Sequence, residues 1–393
     1  MTTRAVEHLI VGAGLAGVEA AAGILEVAPQ AGVTLLSADR DTPYDRPPMS
    51  KGLWTGAVPE PTRPELPPAA TLVHGRRAVG LDAGARVVTD DAGGRWHYRR
   101  LLLATGGEPR RLGTPADRII HFRTLGDYRR LRELTAEGSR VIVIGAGFLG
   151  AELAAALTLT GRQVVLLMPE EGLGARVFPA DLSRFLAADF AGRGVDVRPR
   201  TSVTGVRQEG KRVVVETAAG ESLGGDLAIV AIGIRPGIGL AEAAGLGVED
   251  GIVVDTLLRS TDPDVFAAGD VARYPDDALG RPQRVEHEDH ARHSGRQAGR
   301  NMAGAGEPYR HRPMFYGDLF DLGYEAVGQA DARLETAADW IEPNRQGVIY
   351  YLADGTIRGV LLWNVWGRVD AARELLGRPV PPGGLRGLVT PDG

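Results

Sequence analysis

The stretch "HLIVGAGLAGVEAAAGILEVA" (residues 8–28) has the pattern of a buried strand, a glycine turn and an alanine-rich helix. A second stretch, "RVIVIGAGFLGAELAAALTLT" (140–160), repeats this order. Each is followed by another apolar segment, "VTLLS" at 33–37 and "QVVLLM" at 163–168. A GxGxxG motif is informative when it joins the strand and helix of a complete βαβ unit. Two such units predict two dinucleotide-binding folds in one chain.

The three glycines of each turn have separate tasks. The first permits the tight turn, the second lets a pyrophosphate approach the backbone, and the third lets the helix pack close to its strand. Free N–H groups and the partial positive charge at the helix N-terminus then face the phosphates. The sequence places the two turns at Gly12, Gly14, Leu15, Ala16 and Gly17, and at Gly145, Gly147, Phe148, Leu149 and Gly150.

An acidic residue near the end of the second strand of each unit should accept a hydrogen bond from the adenosine ribose. In the first unit the usual position falls at Ala38, so Asp39 must substitute for it. In the second unit the residue is Glu170, which favours NADH over NADPH because a carboxylate repels a 2′-phosphate. Arg176 slightly weakens this preference for NADH, since its side chain could reach the adenosine end of the nucleotide.

Composition limits the other functions that need considering. With 393 residues the chain exceeds one ordinary domain, and its net charge of −5 gives no reason to expect a nucleic-acid partner. No stretch approaches 18 consecutive apolar residues, so we expect no membrane span. The first apolar run begins close to Met1 and leaves no room for a signal peptide, which predicts a cytoplasmic location. The absence of cysteine excludes disulfides, thiolate metal ligands and iron–sulfur clusters.

Three further strand ends extend the pattern: "ATGG" at 104–107, "AIGIRPG" at 231–237 and "VFAAGD" at 265–270. Together with the two GxGxxG units they resemble the two-dinucleotide flavoprotein reductases over roughly residues 5–300. That resemblance implies FAD in the first fold and NAD(P)H in the second. Where some members carry a cysteine pair, this chain has "PYDRPPMSK" (43–51), as in the ferredoxin-reductase branch.

The C-terminal part resembles the apoptosis-inducing factor family, through "RVEHEDHARHSGRQAGRNMAG" (284–304), "YRHRPMFYGDLFDLGYEAVG" (309–328) and "GVIYYLADGTIRGVLLWNVWGR" (347–368). This implies an α/β protein with two Rossmann-like dinucleotide-binding domains, as in glutathione reductase, and a small α+β C-terminal domain. The expected boundaries are 1–119 with 246–311 for the FAD domain, 120–245 for the NAD domain and 312–393 for the C-terminal domain.

The resemblance also assigns roles at the site. A lysine of the "RPPMSK" motif lies beside the reactive edge of the flavin and pairs with a glutamate two residues beyond the third glycine of the NAD fold; here these are Lys51 and Glu152. A compact ammonium suits a confined position better than a planar guanidinium. Phe148 would cover the nicotinamide, and His287 completes the predicted catalytic set. Further FAD contacts are expected from Arg46, Ala104, Thr105, Gly106, Arg110, Asp270 and Glu286, and further NAD contacts from Gly233, Tyr316 and Glu325.

Histidines at 287, 290 and 293 have the spacing of a metal cluster, but the family resemblance explains the segment, and we expect no metal. The resemblance implies an FAD-dependent NADH oxidoreductase with an unidentified electron acceptor. Two alternatives stay open. One is a dedicated reductase of a ferredoxin, a rubredoxin or a quinone-type acceptor. The other is a slow NADH-sensing flavoprotein that acts through a partner or by forming a homodimer.

Overall fold

A computed structural model of the chain describes residues 3–59, 61 and 63–389. The described residues divide into two compact units. Unit 1 comprises those within Met1–Asp45, Thr62–Glu108 and Arg235–Phe315, and unit 2 those within Arg46–Pro61, Pro109–Ile234 and Tyr316–Gly393. The helices in chain order are α1 (Leu15–Val27), α2 (Gly52–Thr55), α3 (Leu125–Leu134), α4 (Phe148–Leu159), α5 (Ala180–Gly192), α6 (Gly239–Ala243), α7 (Glu288–Met302) and α8 (Val369–Leu375).

Unit 1 is built on the first predicted βαβ unit. Its largest sheet has a parallel centre with an antiparallel extension, in the order Ala70–Val73, Val33–Leu36, Thr3–Val11, Arg95–Leu103, Val87–Asp90 and Ala78–Asp82. Val265–Ala267 adds a further parallel strand beside the end of Arg95–Leu103. A smaller sheet has the order Val248–Glu249, Gly251–Val253, Ala272–Asp276 and Arg281–Arg284.

Helix α7 packs directly against α1 because glycines at the interface bring the two backbones together. A Cβ added at Gly295 would lie 2.3 Å from the Ala16 carbonyl oxygen, and one at Gly299 would lie 2.0 Å from that of Ala20. Any larger side chain would separate the helices. This contact fixes the start of α7, and with it His287, the residue that immediately precedes the helix.

Unit 2 contains the second βαβ unit and the C-terminal sheet. Its parallel sheet has the order Asp196–Arg198, Gln163–Leu167, Arg140–Ile144, Leu227–Val230 and Ile119–Ile120. Val203–Glu209, Arg212–Thr217 and Ser222–Gly225 form an antiparallel sheet. The last sheet has the order Met314–Leu319, Leu322–Gly328, Thr356–Trp363, Gln346–Ala353 and Glu335–Glu342. Two short strands that each include residues of both units, Gly107–Pro109 and Ile234–Pro236, pair with each other.

A hairpin of the C-terminal sheet joins Gln346–Ala353 to Thr356–Trp363. Asp354 and Gly355 both have positive φ, 50° and 66°, as the favoured two-residue hairpin turn requires. The α/β fold class with two dinucleotide-type sheets, expected from the sequence, is confirmed. The domain boundaries expected from the sequence stay a prediction. In the part of the chain described here, no helix is long and apolar enough to cross a membrane.

Candidate functional site

Both glycine turns are closed so tightly that only glycine fits. A Cβ at Gly12, where φ is +108°, would lie 2.2 Å from the Ala104 carbonyl oxygen. A Cβ at Gly150 would lie 1.9 Å from the Gly145 carbonyl oxygen. The first and third glycines therefore serve chain geometry, which leaves the second glycine of each turn as the one that faces a ligand.

The helix that follows each turn begins without a cap. Gly14 and Gly147 precede α1 and α4, and in the described structure neither helix has a side-chain cap or an acidic residue in its first turn. A Cβ at Gly147 would meet no described atom within 4 Å. Exposed backbone donors beside an open cradle are the donor set that a pyrophosphate needs. The two turns fit FAD and NAD(H), the cofactors that the sequence resemblance implies.

The predicted ribose acid of unit 1 lies in a local turn. Asp39 Oδ1 accepts from the Asp41 backbone N–H at 3.1 Å, and Oδ2 accepts from the Tyr44 hydroxyl at 3.0 Å. A carboxylate has about four acceptor positions, so Asp39 keeps capacity for a ribose hydroxyl. Ala38, at the usual position, is exposed and has no polar side chain.

Asp270 lies at the end of the strand Val265–Ala267, after Gly269, whose φ is +72°. The Gly269 N–H donates to Ser294 Oγ on α7 at 3.0 Å. The backbone oxygen of Asp270 accepts from Arg284 Nη1 at 3.0 Å, and the same guanidinium nitrogen lies 2.6 Å from Glu286 Oε1. Arg284 thus joins two predicted FAD residues, a role that nothing in its own sequence neighbourhood indicates.

Two histidines at the start of α7 are held neutral by their surroundings. The His287 ring stacks on Phe315 at 4.4 Å, and desolvation by the surrounding protein lowers its pKa to about 4, although the side chain keeps some exposed surface. His290 is fully buried; its Nδ1 lies 2.9 Å from the Tyr309 hydroxyl, and burial lowers its pKa to about 3. Both rings are therefore neutral at physiological pH.

His293 lies in a cluster with Asp289 and His311, whose candidate ligand atoms are all within 4.8 Å of one another. The two imidazole rings are stacked, with centroids 3.6 Å apart and planes 10° from parallel. Imidazole lone pairs lie in the ring plane, so two stacked rings cannot aim at one ion without a large rotation. The arrangement is a stacked pair on the Asp289 carboxylate.

The pair predicted from the "RPPMSK" motif is present in unit 2. Lys51 Nζ lies 2.7 Å from Glu152 Oε1, with side chains 16% and 7% exposed. Ser50 Oγ donates to the other carboxylate oxygen, Oε2, at 2.6 Å. Burial raises the pKa of Glu152, while Lys51 and the Ser50 hydroxyl act in the opposite direction. The short turn Pro47–Ser50, started by two prolines, brings this motif against α4.

Aromatic rings contact two of the predicted residues of unit 2, Lys51 and Phe148. Lys51 Nζ lies 5.4 Å from the centroid of Tyr316, a cation–π contact. Phe148 contacts Tyr324 at 6.0 Å, and Tyr324 is stacked on Trp363 at 5.9 Å. Tyr324 is buried and fixes the ring predicted to cover the nicotinamide. The contacts of Tyr324 with Phe148 and of Ser50 with Glu152 could not be predicted from local sequence, because each pair is far apart in the chain.

The predicted contact of Glu325 with NAD stays a prediction. Glu325 follows Tyr324 in the strand Leu322–Gly328, and successive strand residues point to opposite faces. Burial raises the pKa of Glu325, partly offset by Arg373 on α8. Beyond the strand Gln163–Leu167, Glu170 is half-buried and Arg176 is exposed, and their contacts with the adenosine stay a prediction.

The remaining predicted residues are shared between the units. Unit 1 contains the first glycine turn, Asp39, the segment 104–106, Asp270, Glu286 and His287. Unit 2 contains Arg46, Lys51, Arg110, the second glycine turn and Tyr316. Arg110 is exposed, and its backbone N–H donates to the Gly233 oxygen at 2.9 Å. Gly233 has a φ of +91°, which explains the glycine. Arg46 is exposed at the start of the proline turn.

The buried neutral His290 makes stability depend on pH. Its pKa is lowered from 6.5 to about 3 in the folded protein, so the unfolded chain binds the proton more readily. The stabilisation is complete above about pH 6.5, and we expect it to fall by about 1.4 kcal/mol per pH unit as pH drops towards 3. Urea unfolding at pH 7, 6 and 5 measures this slope. The slope should be shallower in His290→Gln, and equal slopes would contradict the prediction.

Residues 6–295 match the profile of the pyridine nucleotide-disulphide oxidoreductases, and residues 298–346 and 342–378 match the C-terminal region of mitochondrion-associated apoptosis-inducing factor. The mitochondrial apoptosis-inducing factor 1 of Dictyostelium discoideum is 32% identical over 415 residues, covering 94% of this chain and 78% of the relative. The ferredoxin–NAD(+) reductase component of the anthranilate 1,2-dioxygenase system of Burkholderia cepacia is 32% identical and covers 95% of both chains. The crystal structure of the covalent putidaredoxin reductase–putidaredoxin complex superimposes with a TM-score of 0.89 at 28% identity, covering 98% of this chain and 96% of that one.

Proposed function

We propose, from the premise that this chain belongs to the pyridine nucleotide-disulphide oxidoreductase family, that it passes electrons from NADH through a bound FAD to a small one-electron carrier protein. The first part, an FAD-dependent NADH oxidoreductase, follows from the family and from relatives that are NAD(+) reductases. The carrier is supported by two findings. One relative is the ferredoxin reductase of a dioxygenase system, and one similar structure holds a reductase with its putidaredoxin.

The observation that carries the proposal is the pair of closed glycine turns, each followed by an uncapped helix. One turn in each unit gives the chain two dinucleotide sites, as a flavin reductase requires. FAD, when bound, accepts a hydride and releases electrons singly, chemistry that no side chain here supplies. The protein contributes orientation and electrostatics.

Within that function we assign Lys51 to the reactive edge of the flavin, where its charge favours the added negative charge of the reduced ring. Glu152 keeps the ammonium in place. We assign Phe148 to cover the nicotinamide, with Tyr324 holding its ring. His287, neutral in its stack on Phe315, stands beside the flavin as a hydrogen-bonding group without charge. The domain boundaries 1–119 with 246–311, 120–245 and 312–393 are part of the proposal.

The test begins with the chromophore. We expect the purified protein to be yellow and to release FAD, identified by mass spectrometry after denaturation; FMN would contradict the assignment of the first fold.

Electron transfer to a carrier is tested next. Anaerobic NADH should bleach the flavin, and a ferredoxin or a rubredoxin added in excess should reoxidise it rapidly. A long-lived long-wavelength band with poor turnover to every carrier would instead support the slow NADH-sensing alternative, for which homodimer formation on NADH binding is the second readout.

Replacing Glu170 should weaken the preference for NADH. The carboxylate repels a 2′-phosphate, so Glu170→Ala should narrow the ratio of kcat/KM for NADH to that for NADPH about fivefold, since a screened charge pair at ~4 Å contributes ~1 kcal/mol. Steady-state reduction of a dye acceptor with each nucleotide measures the ratio. Glu209→Ala, an exposed glutamate in a hairpin, is the control. Equal kcat/KM values with both nucleotides in the unmodified protein would refute the role of Glu170.

A further inference from the structure

The hydroxyl of Ser50 has two partners and one proton. Ser50 Oγ lies 2.6 Å from Glu152 Oε2 and 3.2 Å from the Pro47 carbonyl oxygen. A hydroxyl can donate only one hydrogen bond but can also accept. With Glu152 ionised, Ser50 donates to the carboxylate. With Glu152 protonated, the carboxylic acid can donate to Ser50 Oγ, and the serine proton can turn to Pro47. Both states keep the hydrogen bond between Ser50 and Glu152, and no heavy atom has to move.

We propose that Ser50 lets Glu152 gain and lose a proton in place, and that Glu152 takes up one proton when the bound flavin is reduced. The second part rests on the proposed function. Reduction by NADH moves a hydride, two electrons and one hydrogen, to the flavin and leaves NAD⁺, so the flavin gains one negative charge. A proton from solvent bound at Glu152 Oε2 balances that charge, and it leaves again when the electrons pass to the acceptor.

The charges around Glu152 make such a proton uptake feasible. Lys51 faces Oε1 at 2.7 Å and favours the ionised form. Asp318, on the strand Met314–Leu319, favours the protonated form, as does burial, so that the pKa of Glu152 is raised above its ordinary value. Tyr324, from the next strand, is neutral because burial beside Glu152 and Asp318 raises its pKa well above 10.0. An added negative charge at the flavin edge raises the affinity of the carboxylate for a proton further.

Ser50 is a positioning residue here, since it acts through Glu152. Its bond to an ionised carboxylate is charge-assisted and therefore stronger than its bond to a carbonyl. Losing the hydroxyl should thus favour the protonated acid. In Ser50→Ala we expect the pH of half-protonation of Glu152 to rise, and in Ser50→Thr, which keeps the hydroxyl, to return towards the wild-type value.

Infrared spectroscopy follows the acid directly, through the C=O stretch of a protonated carboxyl group. Reduced-minus-oxidised difference spectra of the FAD-bound protein should show this band in the wild type and not in Glu152→Gln, which assigns it. The pH dependence of the flavin midpoint potential gives an independent readout. One extra proton per two electrons changes the equilibrium tenfold per pH unit, about 30 mV. The midpoint potential of the wild type should therefore fall by about 30 mV more per pH unit than that of Glu152→Gln. This difference should appear between the pH at which Glu152 is half-protonated beside the oxidised flavin and the pH at which it is half-protonated beside the reduced flavin.

Equal potential slopes with no assigned band would overturn the proton uptake. An unchanged half-protonation pH in Ser50→Ala would overturn the part given to Ser50. If Ser50→Ala does not fold, Ser50→Cys, with a weak S–H donor, replaces it. If the protein binds no FAD or NADH does not reduce it, the proposed function fails instead. The pH titration of the Glu152 band in the flavin-free protein, compared among the same variants, then still decides the role of Ser50.

Discussion

Gly147→Ala should raise KM for NADH more than about tenfold while the protein stays folded. Each factor of ten corresponds to ~1.4 kcal/mol of binding free energy. The φ of Gly147 is −73°, which any residue can adopt, and a Cβ there meets no described atom within 4 Å. The new methyl group instead occupies the surface that we assign to the pyrophosphate of NADH. Steady-state kinetics with a dye acceptor measures KM, and the flavin spectrum and thermal unfolding check the fold.

Gly150→Ala is the matched substitution with the opposite expectation. Its Cβ would lie 1.9 Å from the Gly145 carbonyl oxygen and 3.4 Å from Ala231 Cβ, so the start of α4 must move away from its strand. We expect unit 2 to lose on the order of 1–3 kcal/mol or more of stability. If Gly147→Ala left KM for NADH unchanged, or if it unfolded the protein as Gly150→Ala does, the second glycine turn would not be the NADH site.

Lys51→Met should lower the midpoint potential of the flavin and slow its reduction by NADH. The change removes a positive charge from the edge where reduction places negative charge, which is worth on the order of 1–4 kcal/mol in a partly screened site. FAD should still bind, because its phosphate and ribose contacts are assigned elsewhere. Glu152, left without its ion pair in a buried position, should take up a proton. A redox titration gives the potential, and anaerobic stopped-flow mixing with NADH gives the rate.

The chain offers its own control for this experiment, because it contains only two lysines. Lys211 is exposed in the hairpin turn between Val203–Glu209 and Arg212–Thr217. Lys211→Met should change neither the potential nor the rate. Lys51→Arg should not restore the wild-type values, since a planar guanidinium cannot take the place of a compact ammonium. An unchanged midpoint potential and an unchanged reduction rate in Lys51→Met would show that Lys51 is a loop residue without a role at the flavin.

Local sequence patterns were sufficient for the elements that depend on local rules. A βαβ unit is specified by a buried strand, three spaced glycines and an alanine-rich helix, largely independently of the rest of the chain. The close contacts that require the glycines are made within a few residues or with the neighbouring strand. The same holds for the hairpin at Asp354–Gly355, whose positive φ angles those residue types adopt most easily. The ion pair of Lys51 with Glu152 required the family resemblance, since these residues are 101 positions apart.

The sequence patterns therefore predicted the two dinucleotide folds, and the family resemblance predicted the cofactors and the class of reaction. Only the tertiary structure decided which groups contact the predicted residues. Ser50 contacts Glu152 because the proline turn lies against α4, a contact across 102 residues. Tyr324 packs on Phe148, whereas Glu325, its neighbour in the chain, turned to the opposite face. Such choices depend on which strand and helix faces meet, and that is settled by the packing of distant segments, which no local pattern encodes.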